Sequence, residues 1–141
     1  MGVRADFYVG RGSDAEWLGS LAATGDPATL APFLRATDEQ QFRRDVARLI
    51  DEYGQYGIHS DQGWPWPWPT SHLSDYAYAV DAGKVHASAG SSQWFDPFDR
   101  PPDEALRAQP ELPDDAFPRM RGGRVRRPPS WHDLFPPPQA S

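Results

Sequence analysis

Between positions 38 and 53 the large apolar residues are Phe42, Val46, Leu49, Ile50 and Tyr53, spaced i, i+4, i+7, i+8 and i+11. That spacing is one stripe of an α-helix. Asp38, Glu39, Gln41, Arg44, Arg48, Asp51 and Glu52 fill the other faces, so the segment reads as an amphipathic helix lying on a sheet. Thr37-Asp38-Glu39-Gln40 matches a capping box with Thr37 as the cap, and Gly54 and Gly57 end the helix. Asp26-Pro27 has the order of an N-cap followed by proline at the first helical position, which predicts a short helix over 28–35.

Two other stretches carry a period of two. Residues 3–9, Val-Arg-Ala-Asp-Phe-Tyr-Val, read as a strand, and Gly10-Arg11-Gly12-Ser13-Asp14 as a turn. In 16–22, Trp17, Gly19 and Leu21 alternate with Glu16, Leu18 and Ser20, which completes a hairpin with Phe7, Val9, Trp17 and Leu21 in the core. Residues 75–80 alternate bulky and small side chains, Asp81-Ala82-Gly83 turns, and 84–89 returns as a second hairpin. Tyr76, Tyr78 and Val80 share a face, with Val85 and Ala87 as neighbours. The expectation is an α+β domain over residues 1–95: a small antiparallel sheet from two hairpins, with one amphipathic helix packed on it.

From residue 96 the texture changes. Eleven of the 16 prolines lie in 97–138, and large apolar residues become isolated. Phe98, Leu106, Leu112, Phe117, Met120, Trp131, Leu134 and Phe135 recur as single anchors. Residues 96–141 therefore read as an extended proline-rich arm with short helical turns, wrapped on the domain or on a partner.

Between the two hairpins lies Gln62-Gly63-Trp64-Pro65-Trp66-Pro67-Trp68-Pro69, with three of the six tryptophans each followed by proline. A residue before proline is pushed toward extended backbone, and proline itself has a locked φ and no donor. The tract is thus a stiff non-helical ribbon. Its indoles either staple the loop to the core or offer an aromatic surface to a partner.

Composition narrows the chemistry. The 141-residue length suits one domain. The absence of cysteine excludes disulfides, thiolate zinc sites and a cysteine nucleophile. Residues 1–20 lack a basic start and apolar run, and no apolar stretch approaches the ~20 residues of a membrane span, so the expectation is a soluble cytoplasmic protein. Net charge is −6 and unevenly placed, because Arg119, Arg121, Arg124, Arg126 and Arg127 form a basic block in an otherwise acidic chain. That block either pairs with the acids of 96–115 or binds RNA, DNA or an acidic protein surface.

His59 with Asp61 and His72 with Asp75 flank the tryptophan tract and would have to converge to hold a metal or act as an acid–base pair. No His-x-His or His-Glu-x-x-His spacing supports this. Gly10-Arg11-Gly12-Ser13 lacks the spacing and lysine of a phosphate loop, and no serine sits in a Gly-x-Ser-x-Gly elbow. No catalytic residue, metal ligand or cofactor is assigned.

The segments Gly-Val-Arg-Ala-Asp-Phe-Tyr-Val-Gly-Arg-Gly (2–12), Ala-Glu-Trp-Leu-Gly-Ser (15–20), Gln-Gly-Trp-Pro-Trp-Pro-Trp (62–68) and Asp-Tyr-Ala-Tyr-Ala (75–79) together resemble a family of small uncharacterised proteins of bacterial prophages and mobile elements. The resemblance covers about residues 2–95 and implies genomic company rather than chemistry. By analogy it implies a non-enzymatic accessory factor that binds a host or element-encoded protein, such as an inhibitor of a host defence system. Trp64, Trp66, Trp68, Trp131 and the five arginines are the expected anchors. The alternatives are nucleic-acid binding through the arginine block with tryptophan stacking, and a small metal-dependent hydrolase or nuclease using His59, Asp61 and His72.

Overall fold

The computed structural model describes residues 3–120 apart from 31, 33, 36 and 37. The protein is an α+β fold. Strands β1 (Ala5–Val9), β2 (Glu16–Leu21), β3 (Gly57–His59), β4 (Tyr76–Asp81) and β5 (Lys84–Ala89) form one sheet in the order β3-β2-β1-β4-β5. All pairings are antiparallel except the central one, where β1 and β4 run parallel. The two predicted hairpins are therefore joined side by side through their first strands. Parallel neighbours need a long crossover, and residues 10–75 supply it. Strand β3, which the sequence pattern did not reveal, extends the sheet beyond β2.

The helices are α1 (Pro27–Leu30), α2 (Glu39–Glu52) and α3 (Asp103–Arg107). Asp26 caps α1, accepting the Thr29 N–H at 3.1 Å. The first of these helices is shorter than the predicted 28–35. The cap of α2 is Asp38, whose carboxylate accepts the Gln41 N–H at 2.8 Å. The cap thus sits one residue later than the predicted box, and Thr37 lies outside the described residues. Among the described residues no helix is long and apolar enough to cross a membrane.

One face of the sheet carries the predicted helix-packed core. Phe42, Val46, Leu49 and Ile50 of α2 meet Ala5, Phe7, Leu21, Tyr78, Val80, Val85 and Ala87, with Leu30, Leu34, Phe95 and Leu106 closing the edges. Phe7 and Tyr78 stack with centroids 5.5 Å apart. The second hairpin has the expected neighbours, Val80 opposite Val85 and Tyr78 opposite Ala87, around a turn whose Ala82 and Gly83 both have positive φ. Two positive-φ central residues make the tight turn whose twist suits a hairpin.

The first hairpin departs from its predicted alternation. Phe7 faces Gly19 but Tyr8 faces Trp17, so Leu18 is an extra residue in β2. A bulge of this kind re-aims the side chains beyond it. Trp17 is therefore sent to the opposite face from Leu21, and joins Tyr8, Ala22, Ile58, Trp64, Trp66, Ala77, Ala79, Leu112 and Phe117 in a second core. Both faces of the sheet are covered, and residues 96–120 contribute to each: Leu106 to the helix side, Leu112 and Phe117 to the tryptophan side.

Helix α2 and β3 approach so closely at Gly57 that a Cβ there would lie 2.1 Å from the Ile50 carbonyl oxygen. Gly57→Ala should cost about 1–3 kcal/mol in urea denaturation, as overpacked sites do. Gly54→Ala, where nothing lies within 4 Å but φ is +57°, should cost about 1 kcal/mol from backbone strain alone. Equal tolerance of both changes would show that the helix does not press on the strand.

Helix and sheet are also tied by Arg43, whose two terminal nitrogens reach the Glu16 carboxylate at 2.7 and 2.6 Å. The hydrogen bond from Arg43 holds the exposed Glu16 carboxyl below its ordinary value. A lowered folded value means that the contribution exists above the ordinary glutamate range and is lost as pH falls through the folded value. Wild type and Glu16→Gln should therefore differ slightly in melting temperature near neutrality and converge in acid; a constant gap across that range would remove the pairing from the account.

Candidate functional site

Beneath the tryptophan tract lies a carboxylate with no access to water. Asp6, between Ala5 and Phe7 on β1, is 0 % exposed and points away from α2, as alternation along a strand requires. Its Oδ1 accepts from Ser20 Oγ at 2.5 Å and Trp66 Nε1 at 2.7 Å. Its Oδ2 accepts from Ser71 Oγ at 2.6 Å and Ser74 Oγ at 2.5 Å. All four strong acceptor positions of an ionised carboxylate are filled.

A second layer sets the direction of these protons. Trp17 Nε1 donates to Ser20 Oγ and Trp68 Nε1 to Ser74 Oγ, each at 3.1 Å. An indole N–H can only donate, so the serine oxygens receive it and turn their own protons to Asp6. Tyr8 hydrogen-bonds Ser71 in the same way. Burial and the Asp6 charge push the Tyr8 phenol well above its ordinary value, so it keeps its proton and acts as donor. Burial also pushes the Asp6 carboxyl above its ordinary value, while the four hydrogen bonds pull it back. Every proton in the cluster is used internally.

This cluster decides the fate of the tract. A glycine at 63 with φ of +95° follows the short 3-10 turn Ser60–Gln62 and brings the chain over the sheet. Ala77 and Ala79, the small members of the β4 alternation, leave room beneath it. Trp64 and Trp66 are only 3 % and 2 % exposed. Trp64 meets Trp17 edge-on at 5.1 Å and donates to the Trp68 carbonyl at 2.6 Å, while Trp66 and Trp68 stack at 5.7 Å. The backbone is non-helical, as predicted, but it bends from Trp66 to Thr70 rather than running as a straight ribbon.

Of the two uses that the sequence left open for the tract, core staple or contact surface, Trp64 and Trp66 take the first. They were expected as binding anchors; Trp66 is spent on Asp6, while Trp64, though almost wholly buried, also lines the larger of the pockets described below. Trp68 is half-buried, with the Arg4 guanidinium 5.3 Å from its ring. Arg119 is exposed and lies 3.7 Å from Asp114. Trp131, Arg121, Arg124, Arg126 and Arg127 lie outside the described residues, so of the arginine block only Arg119 has a place in this structure.

The histidines have separate partners. His59 Nε2 is 2.7 Å from Asp51 Oδ1, and His72 Nε2 is 3.9 Å from Glu111 Oε2. Among the described residues no group of three or more histidine, aspartate or glutamate side chains is arranged to hold a metal ion. His59, Asp61 and His72 are not brought together in one such group.

Two open pockets that share Arg119 lie beside residues 114–120 on this side, and are together called the trough. One lobe, about 600 Å³, is lined by Ala15, Trp17, Asp61, Trp64, Pro118 and Met120 among others; a second, about 340 Å³, by Thr70, Asp114, Asp115 and Phe117. Arg119 lines both. The wall is held in place by Met120, whose N–H donates to the Pro69 carbonyl at 2.6 Å, and by Thr70, whose hydroxyl donates to Asp114 at 3.0 Å.

Sequence reasoning missed Asp6, Tyr8, Ser20, Ser71 and Ser74. The available signal was an acid at an inward position of a predicted strand. Asp6→Asn should destabilise the protein by about 2–4 kcal/mol, because the new amide protons face groups already committed as donors. Trp66→Phe should lose about 1.5–3 kcal/mol through one hydrogen bond to a charge. Chemical denaturation followed by far-UV dichroism measures both; a change below ~0.5 kcal/mol in either would mean that the cluster does not hold the tract. No family model matches this chain, and neither a curated protein nor a solved structure is similar to it.

Proposed function

We propose that this chain is a non-enzymatic protein-binding accessory factor of a phage or other mobile element, acting by occluding or recruiting a host or element-encoded partner. The trough beside residues 114–120 carries the reading: it is open, mixed in character, and walled by side chains fixed through the tract. Concavities of this kind suit a peptide segment better than a flat surface does. The chemistry of the buried cluster supports it as well. Asp6, Tyr8 and the three serines face inward and spend their protons on one another, so they act as scaffold for the surface above them.

Inhibition of a host defence system is the form of activity that the sequence resemblance favours. The contact surface centres on Asp61, Trp64, Pro118, Arg119 and Met120, while Trp66 serves it from beneath. Nucleic-acid binding through Arg119, Arg121, Arg124, Arg126 and Arg127 is the weaker reading, because the whole chain is acidic, with a net charge of −6, and a phosphate-gripping domain is ordinarily basic throughout.

Full-length tagged protein should capture one protein in stoichiometric amount from its native host. Met120→Glu should abolish capture at a temperature where far-UV dichroism shows the variant folded, although its melting temperature will fall somewhat because Met120 packs against the tryptophan-side core. Capture of no specific protein, or capture indifferent to Met120→Glu, would defeat the proposal.

A further inference from the structure

We infer that Asp6 and its donors form a proton-released clasp on the 71–74 turn. When the carboxylate takes up one proton, a buried hydroxyl loses its acceptor and the turn opens while the sheet stays formed. This stands apart from the protein-binding reading. Around the ionised carboxylate, Ser20, Ser71, Ser74 and Trp66 donate to its acceptor positions. Trp17, Trp68 and Tyr8 donate to the serine oxygens behind them. Each of these hydrogens has an acceptor. A proton on Asp6 adds one hydrogen and removes one acceptor. The new O–H finds a serine oxygen 2.5 or 2.6 Å away. That serine's own hydrogen, until then aimed at the same carboxylate, has to turn elsewhere.

The geometry selects Ser71. An indole cannot accept, so Trp66 cannot reverse its bond, and Ser20 and Ser74 are backed by indole donors. Ser71 is backed by Tyr8, a hydroxyl that can accept as well as donate. Proton uptake therefore turns Ser71 toward the Tyr8 oxygen and strands the Tyr8 hydrogen on a residue only 1 % exposed. A buried donor without a partner is costly, and admitting water relieves it. Ser20 is fixed in β2 between β1 and β3, and Trp66 is buried. The 3-10 turn Ser71–Leu73 is the surface element, with Leu73 64 % exposed. Its other ties are bonds from the Ser91 hydroxyl to the His72 carbonyl and from the His72 N–H to Thr70.

Burial pushes the Asp6 carboxyl above its ordinary value, so the folded protein takes the proton at a pH where the unfolded chain is still ionised. Acid thus stabilises the fold through this group, a contribution lost as pH rises through the folded value, and the opening is local. The other titratable groups around Asp6 have their own partners. Arg4 pairs with Asp75, Glu16 with Arg43 and His59 with Asp51; Asp114 accepts from Thr70, and His72 lies 3.9 Å from Glu111. Pro69 and Thr70, beside the turn, hold Met120 and Asp114, so the walls of both pockets move with it.

Amide hydrogen exchange of the full-length protein, read by NMR and corrected for the intrinsic effect of pH, tests the clasp. The Ser74 N–H, bonded to the Ser71 carbonyl, should exchange about tenfold faster for each pH unit of acidification as one proton is taken up. The step should lie above the ordinary aspartate range, while amides of α2 and β4 keep their protection. The Asp6 carboxyl carbon resonance should titrate with the same midpoint, which ties the step to this group without any substitution. Asp6→Asn, where it folds, should leave Ser74 exchanging fast at every pH, and His72→Gln should leave the step in place. Absence of the step, a carboxyl titration that does not coincide with it, or its loss in His72→Gln would overturn the inference. So would its persistence in Asp6→Asn, or opening of α2 together with the turn.

Discussion

A carboxylate cut off from water must find its solvation within the chain, and Asp6 imposes that requirement on everything above the sheet. An unpaired buried charge costs several kcal/mol, so four donors have to converge on two oxygens. They come from β2, from the tryptophan tract and from the 71–74 turn. Each serine among them is oriented in turn by an indole or a phenol. Hydrogen bonds in such a network reinforce one another when all are satisfied. The tract is therefore held by a polar lock as well as by buried ring area.

The two faces of the sheet are built on different principles. The helix face is aliphatic and aromatic packing organised by one stripe of α2. The opposite face is a shallow shelf of Ala77 and Ala79 on which large indoles lie, with the charged centre at its middle. Two local irregularities make this possible. The β2 bulge turns Trp17 toward Ser20, and the small members of the β4 alternation clear the space that Trp64 and Trp66 need. Residues 112–117 then close the layer, with Phe117 against Tyr8 and Trp94.

Under the proposed function, this division separates rigidity from recognition. Asp6, Tyr8 and the three serines face inward and are saturated, whereas the outward pockets combine apolar wall with Asp61, Asp114, Asp115 and Arg119 among the described residues. A scaffold locked from below can present such a surface without spending binding energy on ordering it. Under the proposed function, the tryptophans matter to the partner through the shape they impose on residues 114–120.

The amino-acid sequence by itself determined the amphipathic helix, both hairpins and the turn at Asp81-Ala82-Gly83, because each is written in a local period or in turn-forming residues. It also determined that the tract could not be helical, since three Trp-Pro steps forbid it. What only the tertiary structure decided is long-range: the parallel joining of β1 to β4, the short strand β3, the opposite-face placement of Trp17 and the interior fate of Trp64 and Trp66. Asp6 looked like any acid in a strand, and its partners lie 14, 60, 65 and 68 positions away. Period and propensity carry no record of such distances. Whether an indole is hidden or offered depends on what surface meets it, and that surface exists only once the strands have paired.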